Sequence, residues 1–598
     1  LLIFTTMKLV LYSFILLYSF QSFSQNEDLA KEYFDRGEFQ KALLSYEKLY
    51  KEKKGNSNYF NKIVEIHQQL ENYDISEKLL VGKSKKNSNP QYLVDLGYNF
   101  YLKGFQNEAE KHYKRAVLKI EDRPVYGYYV ARRFEAYALI NFAARAYERT
   151  MELRPDANYH AQLARIYGEQ GLLEKMFVHY LDFLEIKSSY VSQVKRSFSD
   201  YITENADGNN NIMLRKILIK KMQSQPNVLW NQLLSWLYIQ QRDYSKAFAQ
   251  EKAIYLREQG SLSGILELGN VTLKENYPDI SQVILTYLID NADDIETIIE
   301  AHKKRLELQI QFAEPKVYEE INQKYHDIII TYEYSQEVID IMISHAHFKA
   351  FYLNKSLEAI TYLKKMLKMN FNDFQNARIK LELGDILVFQ QKFNEALIYY
   401  SQIQANLKNS VLSQEARFRV AKTSYYKGDF KWAESQLKVL KASTSQLIAN
   451  DALDLKLLIS DNKYEDSTQT ALKLYAKADL YAYQNKTIEA IVLLDDILEN
   501  HKTETIVDQA LYKQAQLYEK QKEYLKAEKN YKAIIANYKE DILADDAYFA
   551  LAELYNNVLS RPIEAQGYYE QIIFNHADSI HFIEARRKFR ELRGDDLN

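Results

Sequence analysis

The sequence predicts an all-α fold in which helical hairpins stack into a right-handed α-solenoid superhelix. Two observations carry this. Only 7 Pro and 16 Gly stand in 598 residues, too few turn-formers for the loops of an all-β or α/β protein. A small-residue slot followed four positions later by an aromatic or large apolar residue also returns every 33 or 34 residues: Ala42/Tyr46, Ser76/Leu80, Ala109/Tyr113, Ala143/Tyr147 and, with Met in the slot, Met176/Tyr180. A fixed period of this length marks a supersecondary unit that buries its core against its neighbours.

The chain opens differently. Met7-Lys8 precedes the apolar run Leu9 to Phe20, and Ser22-Phe23-Ser24 puts small residues at the −3 and −1 positions before Gln25. This reads as a secretory signal peptide over residues 1–24, starting at Met7. The run is shorter than the roughly 18 apolar residues a membrane-spanning helix needs. With no cysteine, the chain has no disulfide, thiolate metal site, cysteine nucleophile or lipid-modified cysteine. The expected mature protein is soluble, not lipidated, and exported across the inner membrane to a periplasm. Lys plus Arg (78) against Asp plus Glu (81) leaves a net charge of −3, without the basic excess that nucleic-acid binding favours.

Within each period, Ala30, Val64, Gly97, Ala131 and Ala164 stand twelve residues before the markers, and Tyr33, His67, Phe100, Phe134 and Tyr167 three residues after those. This pattern resembles the tetratricopeptide repeat. The unit from residue 90 supplies Leu96, Gly97, Phe100, Ala109, Tyr113 and Ala116, and the next supplies Ala131, Phe134, Ala143, Tyr147 and Pro155. The tryptophan usual at the fourth position is absent. The resemblance implies that Gly97 and Ala109 meet where two helices cross, because only small side chains let the backbones approach.

An N-terminal array is therefore expected over 25–188. From 189 to 338 the pattern degenerates, with one unit around Ser235 and Ala247, a loop at Asn205 to Asn211, and helical periodicity without markers in 187–224 and 261–335. A C-terminal array over 339–598 restores the markers at Ala359, Ala396, Ala433, Ala490, Ala527 and Ala565. The wide gap after Ala433 is expected to hold one further helical pair across 442–466, and a charged final helix around Glu584 to Arg593 to cap the array. These longer repeats are similar to those of the Tol-Pal coordinator and the BamD-type envelope proteins.

No catalytic constellation emerges. Gly260 to Gly264 places Leu262 where a nucleophile elbow needs serine, and Gly82-Lys83-Ser84 follows Glu77 where a phosphate loop needs its first glycine. His345 and His347 point apart on one helix, and His347 occupies the small slot twelve residues before Ala359, a packing position. Asp495-Asp496 and Asp545-Asp546 read as solvated faces. No cofactor, no metal and no catalytic residue are expected.

In the tetratricopeptide family the first helix of each pair lines the concave face. Carried over, this resemblance places Tyr98, Tyr101, Tyr128, Arg132 and Arg165 on one binding surface, suited to an acidic peptide. It places Phe418, Lys422, Tyr425, Tyr426, Tyr475 and Tyr483 on a second. The function implied is a non-catalytic scaffold for protein or peptide partners in outer-membrane, cell-wall or secretion complexes of the envelope. The alternative is a recognition or regulatory subunit of an envelope enzyme.

Overall fold

The computed structural model describes residues 26–86, 89–258, 260–333, 336–440, 445–463 and 468–595. The expected signal peptide lies outside them. Every regular element among the described residues is helical. They form two compact units, one ending at Leu233 and the other beginning at Leu234.

The first unit is a run of hairpins. Helices α1 (26–35) and α2 (Phe39–Glu52) are followed by α3 (Ser57–Gln69) and α4 (Tyr73–Lys86), α5 (Gln91–Leu102) and α6 (Gln106–Asp122), α7 (Gly127–Ala136) and α8 (Ile140–Leu153), and α9 (His160–Glu169) and α10 (Leu173–Ile186). After them come α11 (Val191–Ser199) and α12 (Asn209–Ser224), and the boundary falls within α13 (Val228–Gln240). The slot residues Ala30, Ala42, Val64, Ser76, Ala109, Ala131, Ala143, Ala164 and Met176 are all buried. At Gly97 an added Cβ would stand 2.5 Å from Tyr113 Cε1 and 3.0 Å from the Ala109 carbonyl oxygen. The glycine is there for lack of room.

The turns repeat as regularly as the slots. Seven residues after each first slot the backbone enters the left-handed region, at Gly37, Glu71, Gly104, Ala138 and Gly171. In the α5–α6 turn the Gly104 amide donates to the Tyr101 carbonyl and the Phe105 amide to the Phe100 carbonyl, both at 2.9 Å. This is a Schellman closure, which satisfies carbonyls that a helix end would otherwise leave bare. The Asn205–Asn211 stretch is a loop only to Gly208. Asn211, buried in the first turn of α12, donates to the Thr203 and Asn205 carbonyls at 2.7 Å.

The second unit continues with α14 (Tyr244–Glu258), α15 (Ser263–Lys274), α16 (Pro278–Asn291), α17 (Ile295–Phe312) and α18 (Tyr318–Thr331). Then come α19 (Ile339–Phe351), α20 (Ser356–Met366), α21 (Asp373–Phe389), α22 (Phe393–Asn406), α23 (Val411–Tyr426) and α24 (Phe430–Leu440). A lone α25 (Gln446–Asn462) precedes α26 (Thr470–Tyr483), α27 (Thr487–Asn500), α28 (Val507–Lys520), α29 (Tyr524–Asn537), α30 (Ala544–Asn557), α31 (Pro562–Asn575) and α32 (Phe582–Arg593). All six C-terminal markers are fully buried. In α32 only Ala585 is buried, as suits a polar cap on the last hairpin.

Three expectations are corrected here. The α15–α16 hairpin does carry a slot pair: Gly269 and Ser281 stand twelve apart, and the buried Ser281 hydroxyl donates to Thr272 Oγ1 at 2.8 Å. The gap after Ala433 holds the single helix α25 among the described residues, not a pair. His347 is not the packing residue of its hairpin. The α19–α20 turn is one residue longer, closed by the Lys355 amide on the Lys349 carbonyl at 2.8 Å, so the fully buried Ala346 takes the slot. The α30–α31 turn repeats this, with Arg561 donating to Tyr555 at 2.8 Å and Ala552 buried. No helix among the described residues is long and apolar enough to cross a membrane.

Candidate functional site

The sequence-predicted residues of the first unit lie on the first helices of its hairpins but are engaged with one another. Tyr98, half-buried on α5, stacks between Tyr101 at 6.0 Å and Tyr137 at 3.9 Å between ring centroids. Tyr128 stacks on Tyr159 at 5.9 Å. Arg132 and Arg165 converge on the same carboxylate oxygen of Glu135, each at 2.8 Å, and Arg165 also holds Glu169 at 2.7 Å. Their positive charge is therefore met within the chain. Beneath them the buried Asp95 accepts from the Tyr137 hydroxyl at 2.8 Å and from Arg133, which ties α5 to α7.

The six residues expected on the second surface separate into two groups. Tyr425 is wholly buried and Tyr475 nearly so, and Phe418 packs partly buried against the same cluster. The reason is that α26 packs directly on α23, so positions open to a groove elsewhere are covered here. Tyr425 and Tyr475 are core residues. Tyr426 and Tyr483 stack at 6.2 Å, with the Lys422 ammonium 5.8 Å from the Tyr426 ring centre. Tyr483 reaches back to α21, donating to the Asp385 carbonyl at 3.4 Å, with its ring against Phe351 at 5.6 Å and Phe389 at 6.3 Å.

Beside these rings opens a cavity of about 700 Å³, walled by α17, α18, α19, α21 and α23. Sequence reasoning missed it, because its charged residues are spread from Lys303 to Arg419 and only stacking brings them together. Five carboxylates (Glu307, Asp340, Glu382, Asp385, Glu415) face three permanent cations (Lys303, Arg378, Arg419) among its lining. Arg419 bonds Glu415 at 2.8 Å and both oxygens of Asp385, which also accepts from the Tyr400 hydroxyl at 2.6 Å. Arg378 meets Asp340. Glu307 has Lys303 only as near as 3.9 Å.

On α19 the two histidines divide their work against expectation. His345 is buried, stacked on Tyr325 at 5.0 Å and bonded through Nε2 to Asn322 at 2.7 Å. Burial, helped by Lys349, pushes its pKa down to about 3. His347 instead faces the cavity, with Nδ1 2.9 Å from Glu382 Oε1. Burial opposes its charge, but the Glu382 hydrogen bond and the charges of Glu382, Asp385 and Glu307 prevail and raise its pKa. Burial also raises the Glu382 carboxyl, against the pull of His347.

No metal ligand was expected from the sequence. The first unit nevertheless brings His160, His179 and Asp182 together, their ligating atoms all within 4.8 Å of one another.

No protein-family model matches the sequence, and no curated protein matches it. Among solved structures the chain is similar to Naa15/Naa10 bound to HypK-THB, at 10% identity and a TM-score of 0.27, over 96% of this chain and 97% of that one. It is also similar to a tetratricopeptide repeat protein from Parabacteroides merdae, at 11% identity and a TM-score of 0.27, over 49% of this chain and 96% of that one. A third is the Cut9-Hcn1 hetero-tetramer of the APC/C, at 11% identity and a TM-score of 0.24, over 94% and 95% of the two chains. With TM-scores this low, the fold assignment rests on the chain's own stacked hairpins.

Proposed function

We propose that this chain is a non-catalytic protein-binding scaffold that holds a basic segment of a partner protein in the α17–α23 groove. The observation that carries the reading is the groove's charge, five carboxylates against three permanent cations around an open cavity of about 700 Å³. Arg419 is bonded to Asp385 and Glu415 and Arg378 lies against Asp340, so the remaining field is negative and favours a lysine- or arginine-bearing guest. The exposed Tyr352 ring on the wall offers contact area for the guest's apolar parts. The apolar run after Met7 and the likeness of the C-terminal repeats to envelope proteins support a finer reading, a scaffold exported to a bacterial envelope.

The test is capture of partners by the full-length chain from envelope extracts, comparing it with Glu307→Lys. Glu307 is half-exposed, so its replacement leaves the hairpins intact. A partner retained at low salt, released at high salt and lost by Glu307→Lys supports the reading. Partners kept by the variant and insensitive to salt would sink it. Export is checked separately, by fractionating cells that carry the intact chain or one with charges placed inside Leu9–Phe20.

A further inference from the structure

We propose that His160, His179 and Asp182 form a binding site for one divalent transition-metal ion of the zinc class, closing the α9–α10 hairpin at its open end. His160 is the first residue of α9, while His179 and Asp182 lie one turn apart on the same face of α10. The two Nδ1 atoms stand 2.9 Å apart, and His160 Nδ1 is 3.7 Å from Asp182 Oδ2. Ligands held at about 2.0–2.1 Å from a common ion, at tetrahedral to octahedral angles, lie about 2.9–3.4 Å from one another. The three donors therefore need only small rotations to share an ion.

The surroundings are those of a held site. The Tyr167 ring stacks on His179 at 5.3 Å and fixes the imidazole plane. Asp182 offers Oδ2 toward the histidines because Lys221 of α12 takes Oδ1. Lys221 also bonds Glu185 at 2.7 Å, so its charge is offset twice and the local balance stays negative. Such an outer partner orients a ligating carboxylate. Two nitrogens and one oxygen suit Zn²⁺, Co²⁺ or Ni²⁺ better than Mg²⁺ or Ca²⁺, which prefer all-oxygen cages. Three protein ligands also leave a position for water.

The experiment is titration of the full chain with Co²⁺, after removal of any histidine tag and treatment with chelator, read by ligand-field absorption and by melting. One Co²⁺ per chain, displaced by Zn²⁺, with a raised melting temperature, is expected. His160→Gln and Asp182→Asn should each weaken binding by about tenfold or more, whereas His326→Gln, exposed in the second unit, should bind as the parent does. Circular dichroism of the metal-free variants separates lost ligation from lost folding. Absence of any ligand-field band, or a folded His160→Gln or Asp182→Asn that binds as tightly as the parent, overturns the proposal.

Discussion

Arg419 of α23 forks onto Asp385 of α21, its Nε lying 2.8 and 2.9 Å from the two carboxylate oxygens. The pair joins consecutive hairpins at the floor of the groove, and Tyr400 of α22 donates to the same carboxylate at 2.6 Å. Removing one partner of a partly buried pair leaves the other charge poorly solvated. Arg419→Met is therefore expected to destabilise the second unit by about 2–4 kcal/mol. Arg419→Met/Asp385→Asn should lose less than the two single changes together. A double-mutant cycle by urea unfolding checks this, and strict additivity would show that the two groups do not interact.

Two tyrosines of the second unit make opposite predictions. Tyr400 gives its hydroxyl to Asp385, whereas the buried Tyr425 hydroxyl has no hydrogen-bond partner among the described residues. Tyr400→Phe is expected to cost about 1–2 kcal/mol, and Tyr425→Phe to be neutral or to stabilise, because an unsatisfied buried hydroxyl is itself a cost. Thermal melts of the two variants decide it. A clear loss of stability in Tyr425→Phe would mean that its hydroxyl is bonded after all.

The left-handed turn residues offer a route to stability. Ala138 (φ 54°) and Gln391 (φ 56°) occupy positions that Gly104 (φ 85°) and Gly428 (φ 81°) fill elsewhere in the chain. A Cβ in this region costs about 1–2 kcal/mol, while glycine adds about 0.5–1 kcal/mol of unfolded-chain entropy. The first outweighs the second, so Ala138→Gly should stabilise by about 0.5–1 kcal/mol, and Gln391→Gly by less, because the Gln391 side-chain amide donates to Gln484 Oε1 at 3.5 Å. A lowered denaturation midpoint in either variant would contradict the steric account.

Much of the fold was legible because a helix crossing needs small residues. Gly97 and Ala109 announced theirs through spacing, and the same steric demand recurs at Gly384, where an added Cβ would run into the Tyr400 ring. The failures are equally physical. One extra turn residue moved the slot from His347 to Ala346, and the slot pair of Gly269 and Ser281 went unread because a serine, bonded to Thr272, stands where other hairpins carry alanine. Site residues were harder to read. The family's concave positions placed Tyr98 and Arg132 on the first helices of their hairpins, but Glu135, which takes up both arginines, and α26, which buries Tyr425, are facts of stacking. The cluster of His160 with His179 was invisible because its members belong to different helices of a hairpin.

His347 and His345, two residues apart, should titrate on opposite sides of the free imidazole value. His347 is raised above the ordinary imidazole value of about 6.5, and His345 is lowered to about 3. For His347 the folded pKa lies above the unfolded one. The stability gained from its pairing with Glu382 is thus full below about pH 6.5 and is lost as pH rises through the folded value. Glu382→Gln removes the hydrogen-bonded charge and leaves only Asp385 and Glu307 to oppose burial, so the His347 midpoint should fall. Carbon-13-labelled histidine followed by NMR from pH 4 to 9, a window set by about two units either side of the free value, resolves the two rings. A His347 midpoint at or below the free value in the parent chain, or one unmoved by Glu382→Gln, would remove the pair from the groove's electrostatics. A His345 that protonates within the window would mean that α18 and α19 part far more readily than their packing allows.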